Sequence, residues 1–87
     1  MYFIQIFSYS FILPMEKEVI LKQLGARIRK IRKDKGMTQV QLAHKIGKDQ
    51  QVIHRLEIGD FNPTYFFLCE IAIGLETTVV DLISPLA

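Results

Sequence analysis

At 87 residues the chain is long enough for one domain and too short for two. Apolar residues make up 49% of it, enough for a core, and a single cysteine, Cys69, excludes an intramolecular disulfide and fits a reducing, cytoplasmic compartment. The net charge of +2 conceals a division: ten lysines and arginines against two acids lie between Lys22 and Arg55, while residues 56–87 carry five acids and no base. A basic half beside an acidic half points to a polyanionic partner on one side only.

Residues 1–13, MYFIQIFSYSFIL, are apolar and uncharged. They are too short for a membrane span of about twenty residues, and they lack the basic start and small-residue end of a signal peptide. Pro14 and Met15 separate them from the charged residues 16–18. Residues 1–15 therefore read as a leader with three open meanings: a docking arm, such as a short strand, over an apolar surface; a disordered segment; or an extension ahead of a natural start at Met15. Residues 16–87 read as the domain.

From Val19 to Lys35 the spacing predicts a helix. Ile20, Leu24, Ile28 and Ile31 line one face, and Arg27, Arg29, Lys30, Lys33 and Lys35 lie mostly outside it. Gly36 ends this helix, and Met37 is expected to pack under the turn.

Residues 38–59, TQVQLAHKIGKDQQVIHRLEIG, predict two short helices joined by a tight turn. Thr38 is a good N-cap, and Gln41 completes a capping box. Leu42, Ala43 and Ile46 form one apolar face, Ala43 being small enough for a close crossing. Gly47 can take positive φ and stop the helix. Asp49 caps the second helix, which buries Ile53 and Leu56 and stops at Gly59. With those residues inward, Gln50, Gln51 and Arg55 point outward. Gln can pair bidentately with adenine and Arg with guanine in the major groove of DNA. An ordinary solvated helix face would carry similar residues; the coincidence with the basic half of the chain favours the nucleic-acid reading.

GDFNP, residues 59–63, is a loop, and Pro63 and Thr64 mark a helix start. The next helix, YFFLCEIAIGL at 65–75, carries two apolar faces. Leu68, Ile71, Ala72 and Leu75 form the inward one. Phe66, Cys69 and Ile73 form a second, which must meet a partner subunit, another protein or residues 1–13. Taken alone, Cys69 reads as a small apolar residue rather than a reactive one. Thr78 and Asp81 predict a capping box before a last helix, Val79–Ile83, whose Val80 and Ile83 extend the same contact surface; Pro85 ends it. His44 and His54 stand on different helices with no ligand cluster around them, and no glycine-rich phosphate loop occurs, so neither a metal, a cofactor nor catalysis is expected.

The segments LGARIRKIRKDKGMTQ, LAHKIG, IHRLEIG, the NP of the loop and the apolar run from Leu68 to Ile83 together resemble the phage-repressor helix-turn-helix family of Cro/C1 (XRE) type. The resemblance spans Leu24 to Ile83 and implies an all-α, five-helix, lambda-repressor-like DNA-binding domain. It implies that Gln50, Gln51 and Arg55 read bases and that Gln39 holds a phosphate; Thr38, Lys48 and some of Arg27, Arg29, Lys30 and Lys35 are expected to contact phosphates beside it. Arg32 and Glu57 occupy positions that pair in the family. Lys48 replaces an apolar turn residue and would either loosen the turn or reach a phosphate. Arg55 replaces a glutamine, which would shift one base preference toward guanine. Phe66 and Ile73 stand where polar residues are usual, and the leader has no counterpart.

The function expected from residues and resemblance together is a sequence-specific transcriptional repressor that binds a palindromic operator as a homodimer, through the recognition helix 50–58. The surface of Phe66, Cys69, Ile73, Val80 and Ile83 would hold the dimer or another partner. The competing expectation is an antitoxin-like interaction module that binds a toxin or regulator through helix 65–75 and autoregulates its operon. No membrane association is expected.

Overall fold

In the computed structural model, which describes the backbone of residues 2–84 and the side chains of residues 16–84, all secondary structure is helical. The elements are α1 (Tyr2–Asp34), α2 (Gln39–Ile46), α3 (Gln50–Glu57), α4 (Tyr65–Gly74) and α5 (Val79–Ile83). The expected five-helix all-α domain is thus observed. The first helix differs from expectation. It begins at Tyr2 rather than Val19, so the segment read as a strand or a disordered leader continues α1 as helix.

Local chemistry sets the other boundaries. The side chains of Thr38, Asp49, Thr64 and Thr78 each accept a first-turn backbone N–H at the start of α2, α3, α4 and α5. Such caps contribute about 1 kcal/mol apiece. At α2 the box is complete: the Gln41 amide N–H donates to Thr38 Oγ1 at 3.0 Å and the Thr38 amide donates back to Gln41 Oε1 at 2.8 Å. At α5 only half of the expected box forms. The Asp81 amide donates to Thr78 Oγ1, but the Asp81 carboxylate takes the hydroxyl of Thr77 instead, at 2.8 Å.

Helices α1 to α4 all stop in the same way. A residue of positive φ (Gly36, Gly47, Gly59 and Glu76) follows the last turn. The amide after it donates to the carbonyl five residues back: Met37 to Arg32, Lys48 to Ala43, Asp60 to Arg55 and Thr77 to Ala72. This six-to-one bond satisfies a carbonyl that the helix itself leaves open. Glycine adopts the conformation at no steric cost; Glu76, at φ 54°, does so against its Cβ.

The helices touch in a closed order, α1 on α3, α3 on α2, α2 on α4, α4 on α5 and α5 on α1. Ile28, Leu42, Ile53, Leu56, Ile71, Leu75 and Leu82 are fully buried at the centre. The inward face of α4 is shifted from expectation. Phe67, at 7% exposure, is the buried aromatic and Leu68 is only partly covered. Phe67 fills the space under the α2–α3 turn and meets Phe61 edge-on, centroids 5.8 Å apart. Ile20 was expected inward and is 49% exposed; in that turn Leu21 is partly covered and the Lys22 backbone meets Gly59.

One close approach positions the recognition unit. A Cβ on Gly25 would stand 2.4 Å from the Leu56 carbonyl oxygen and 2.5 Å from that of Glu57, so α1 and α3 meet backbone to backbone. Ala43, 2% exposed, lies in the core on α2 as its size predicted.

Candidate nucleic-acid interface

Arg32 and Glu57, both 6% exposed, anchor the start of this surface. Arg32 Nε donates to Glu57 Oε2 at 2.6 Å and Nη2 donates to Oε1 at 2.9 Å, a bidentate pair joining α1 to the end of α3. Arg32 Nη1 donates to the Met37 carbonyl at 2.6 Å, which also fixes the α1–α2 turn. Among the described residues no buried side-chain polar atom lacks a hydrogen-bond partner, so the pair meets the condition on which buried charges are tolerated.

The chain of contacts continues outward. Gln39 Nε2 donates to Glu57 Oε1 at 3.0 Å, and Gln50 Nε2 donates to Gln39 Oε1 at 2.7 Å. Buried charge thereby orients the first side chain of α3 through two amides. Each amide nitrogen carries two N–H groups, so Gln50 keeps one N–H and its carbonyl oxygen, the pair that matches adenine N7 and N6–H. Gln51 is exposed beside it, with its backbone amide on the Asp49 cap.

Arg29, Arg32, Gln39, His54, Glu57 and Ile58 line an open notch of about 310 Å³ at the junction of α1, α2 and α3. Arg29 therefore joins Gln39 on this side, and so does His54, weighed from the sequence only as a metal ligand. Its signal was the four-residue step from Gln50.

Other expected contacts are held elsewhere. Arg27 is turned to the opposite side of α1, where Nε donates to the Asp81 carbonyl at 2.9 Å, so it ties α1 to α5 and is not gathered with the others. Lys48 folds back on α4. Its Nζ is 3.5 Å from Glu70 Oε1 and 5.6 Å from the centre of the Phe67 ring. The turn residue thus meets Phe67 through its ammonium, at cation–π distance, where an apolar residue would meet it by packing. Lys35 stands with Lys45 around Glu76, whose carboxyl is held below its ordinary pKa first by the hydrogen bond from Lys45, then by the charges of Lys45 and Lys35. Arg55 is exposed at the far end of α3, against Asp60 and Phe61. Thr38 serves as the cap of α2, which leaves the amides of Gln39 and Val40 as its open first-turn donors.

The expected partner surface is exposed. Phe66 and Ile73, seven residues apart on α4, are 72% and 74% accessible, and Val80 and Ile83 on α5 are 68% and 58%. Cys69 is half-buried among them. No helix among the described residues is long and apolar enough to cross a membrane.

A capped helix, a turn closed by Gly47 and a second helix presenting Gln50, Gln51 and Arg55, all set in a closed ring of five helices, define a helix-turn-helix DNA-binding domain. Residues 28–82 match the model of the helix-turn-helix family HTH_3, and the chain belongs to that family, the Cro/C1 (XRE) type of DNA-binding transcription regulators. It is 36% identical over 64 residues to an uncharacterized HTH-type transcriptional regulator, y4dJ, of Sinorhizobium fredii, a match covering 74% of this chain and 83% of the relative. Its structure is similar to that of the restriction-modification controller protein C.AhdI from Aeromonas hydrophila, with TM-score 0.70 and 29% identity over 71% of this chain and 94% of that one. It is also similar to the controller protein C.Esp1396I, with TM-score 0.67 and 38% identity over 72% of this chain and 83% of that one.

Proposed function

We propose that this regulator represses transcription by binding a palindromic operator as a homodimer, with α3 in the major groove. Gln50 and Gln51 read adenine-containing steps and Arg55 reads a guanine. Gln39, the open amides at the start of α2 and Arg29 hold backbone phosphates and set the register. The observation that carries this reading is the hydrogen-bonded run Arg32–Glu57–Gln39–Gln50. It fixes a base-reading amide to buried charge before DNA arrives, so less ordering is needed on binding.

The exposed apolar residues of α4 and α5 support a second copy as the partner on that face, since an unpaired domain seldom leaves four large apolar side chains this open. Two-fold pairing there would place two recognition helices against half-sites about one helical turn apart.

In vitro selection of bound duplexes, read for dyad symmetry, tests the proposal together with the sedimentation mass of the purified protein. A symmetric consensus and a dimer are expected. Asymmetric sites bound by a monomer, or a stable complex with another protein seated on α4, would instead favour the interaction-module reading.

A further inference from the structure

We propose that Asp60 is a positioning residue for base discrimination: it holds the side edge of the Arg55 guanidinium and leaves the end of that group free for guanine. The inference rests on the reading of Arg55 as a base contact and goes beyond it.

Three contacts hold this guanidinium. Asp60 Oδ2 is 3.5 Å from Nε, Nη2 donates to the Asp60 carbonyl at 3.1 Å, and Cζ lies 5.6 Å from the centre of the Phe61 ring. The support is itself fixed. Phe61 is braced edge-on by the buried Phe67. Asp60 is placed by the six-to-one bond from its own amide to the Arg55 carbonyl, at 2.9 Å, which Gly59 permits at φ 81°. Backbone and side chain of Arg55 thus both close on one residue.

A guanidinium offers two bidentate edges, one made by Nε with the nearer Nη and one by the two Nη atoms. Asp60 faces the first, its backbone carbonyl accepting from Nη2 and its carboxylate in ion-pair range of Nε. The second presents two parallel N–H groups at the spacing of guanine O6 and N7. An arginine on four rotatable bonds otherwise samples many directions and gives up that freedom on binding. Asp60 also places an exposed acid, 71% accessible, beside a surface meant for a polyanion, where a charge with no positioning role would only weaken binding.

The test uses the full chain and the selected operator, with all four bases placed in turn at the position whose preference Arg55→Ala relaxes. Dissociation constants are compared for the parent, Asp60→Asn, Asp60→Ala and each of these combined with Arg55→Ala, and melting curves confirm the fold. Discrimination for guanine is expected to fall roughly five- to tenfold in both Asp60 variants, with no further loss in the Arg55→Ala background. Unchanged discrimination with a uniform gain in affinity for every duplex would overturn the proposal, because Asp60 would then act through its charge alone. If Arg55→Ala relaxes the preference and the Asp60 variants do not, only the role of Asp60 falls. If Arg55→Ala leaves every preference intact, the base-reading assignment falls and this inference with it.

Discussion

Gln50 donates to Gln39 at 2.7 Å, although eleven residues separate them and they sit on different helices. The bond joins the residue proposed to read a base to the one proposed to hold a phosphate. A displacement of the backbone contact is thereby transmitted to the base contact through one amide.

Gln39→Ala therefore removes two things together. The fold should change little, since the side chain is only partly buried and Glu57 keeps Arg32. Operator affinity should fall by about 1–3 kcal/mol, with relaxed preference at the base read by Gln50. Anisotropy titrations across single-base operator variants check this; equal losses on every variant would mean that the two glutamines act independently.

Glu57→Ala should act on stability first. It strands the Arg32 guanidinium in the interior, at a cost of about 3–5 kcal/mol, a large part of the ~5–15 kcal/mol that holds a domain together. Replacing both members with apolar residues, as in Arg32→Met with Glu57→Leu, should recover much of the melting temperature. It should not recover operator binding, because Gln39 loses its acceptor. Recovery of both would separate the pair from recognition.

Gly25→Ala should destabilise by about 1–3 kcal/mol despite the better helix propensity of alanine. All three nearest atoms to the added methyl are backbone of α3, between 2.4 and 2.7 Å away, and cannot rotate aside. Gly74→Ala meets only the side-chain ends of Ile46 and Leu42, and should cost less. Chemical denaturation of the two variants side by side gives the ranking, and the reverse order would count against a backbone-to-backbone crossing of α1 and α3.

Phe66→Glu with Ile73→Glu should leave the monomer folded, both side chains being largely exposed already. Two charges placed in an apolar contact oppose its formation. Sedimentation should shift from dimer to monomer, and operator binding should weaken as the second half-site is lost. A dimer that survives both changes would place the interface elsewhere.

Acid should expose two small electrostatic contributions. Asp81 is held below its ordinary pKa by the hydroxyl of Thr77 first and of Thr78 next, and Glu76 by Lys45 and then Lys35. A carboxyl whose folded pKa is depressed stabilises the fold above its unfolded value, 3.8 for Asp and 4.5 for Glu here, and loses that contribution as pH falls through the folded value. Asp81→Asn and Glu76→Gln should thus melt below the parent at neutral pH and approach it as the pH falls through the lowered folded values. Added salt should shrink the Glu76 difference more, since part of it is charge attraction to two exposed lysines. Thermal melts over pH and salt decide.

The features legible in the sequence are those that act within a turn or two of chain. Thr38, Asp49, Thr64 and Thr78 cap because a side-chain oxygen reaches an amide two or three residues on. Gly36, Gly47 and Gly59 stop helices because the positive φ needed there is a local preference. The inward stripe of Leu42, Ile53 and Leu56 follows from helical period, and Arg32 with Glu57 from the family pattern.

What only the tertiary structure decided is which long side chain meets which neighbour across helices. Period alone could not tell Phe67 from Leu68 as the buried residue, because that depends on the hollow under the α2–α3 turn. Nor could it show that Arg27 is tied to α5 and Lys48 to α4, since both depend on acceptors carried in by distant parts of the chain. The closeness required at Gly25 exists only once α3 lies across it. Local preference selects the helices and their ends, but the angle at which helices cross selects the partners of every flexible charged side chain, and that angle is a property of the packed whole.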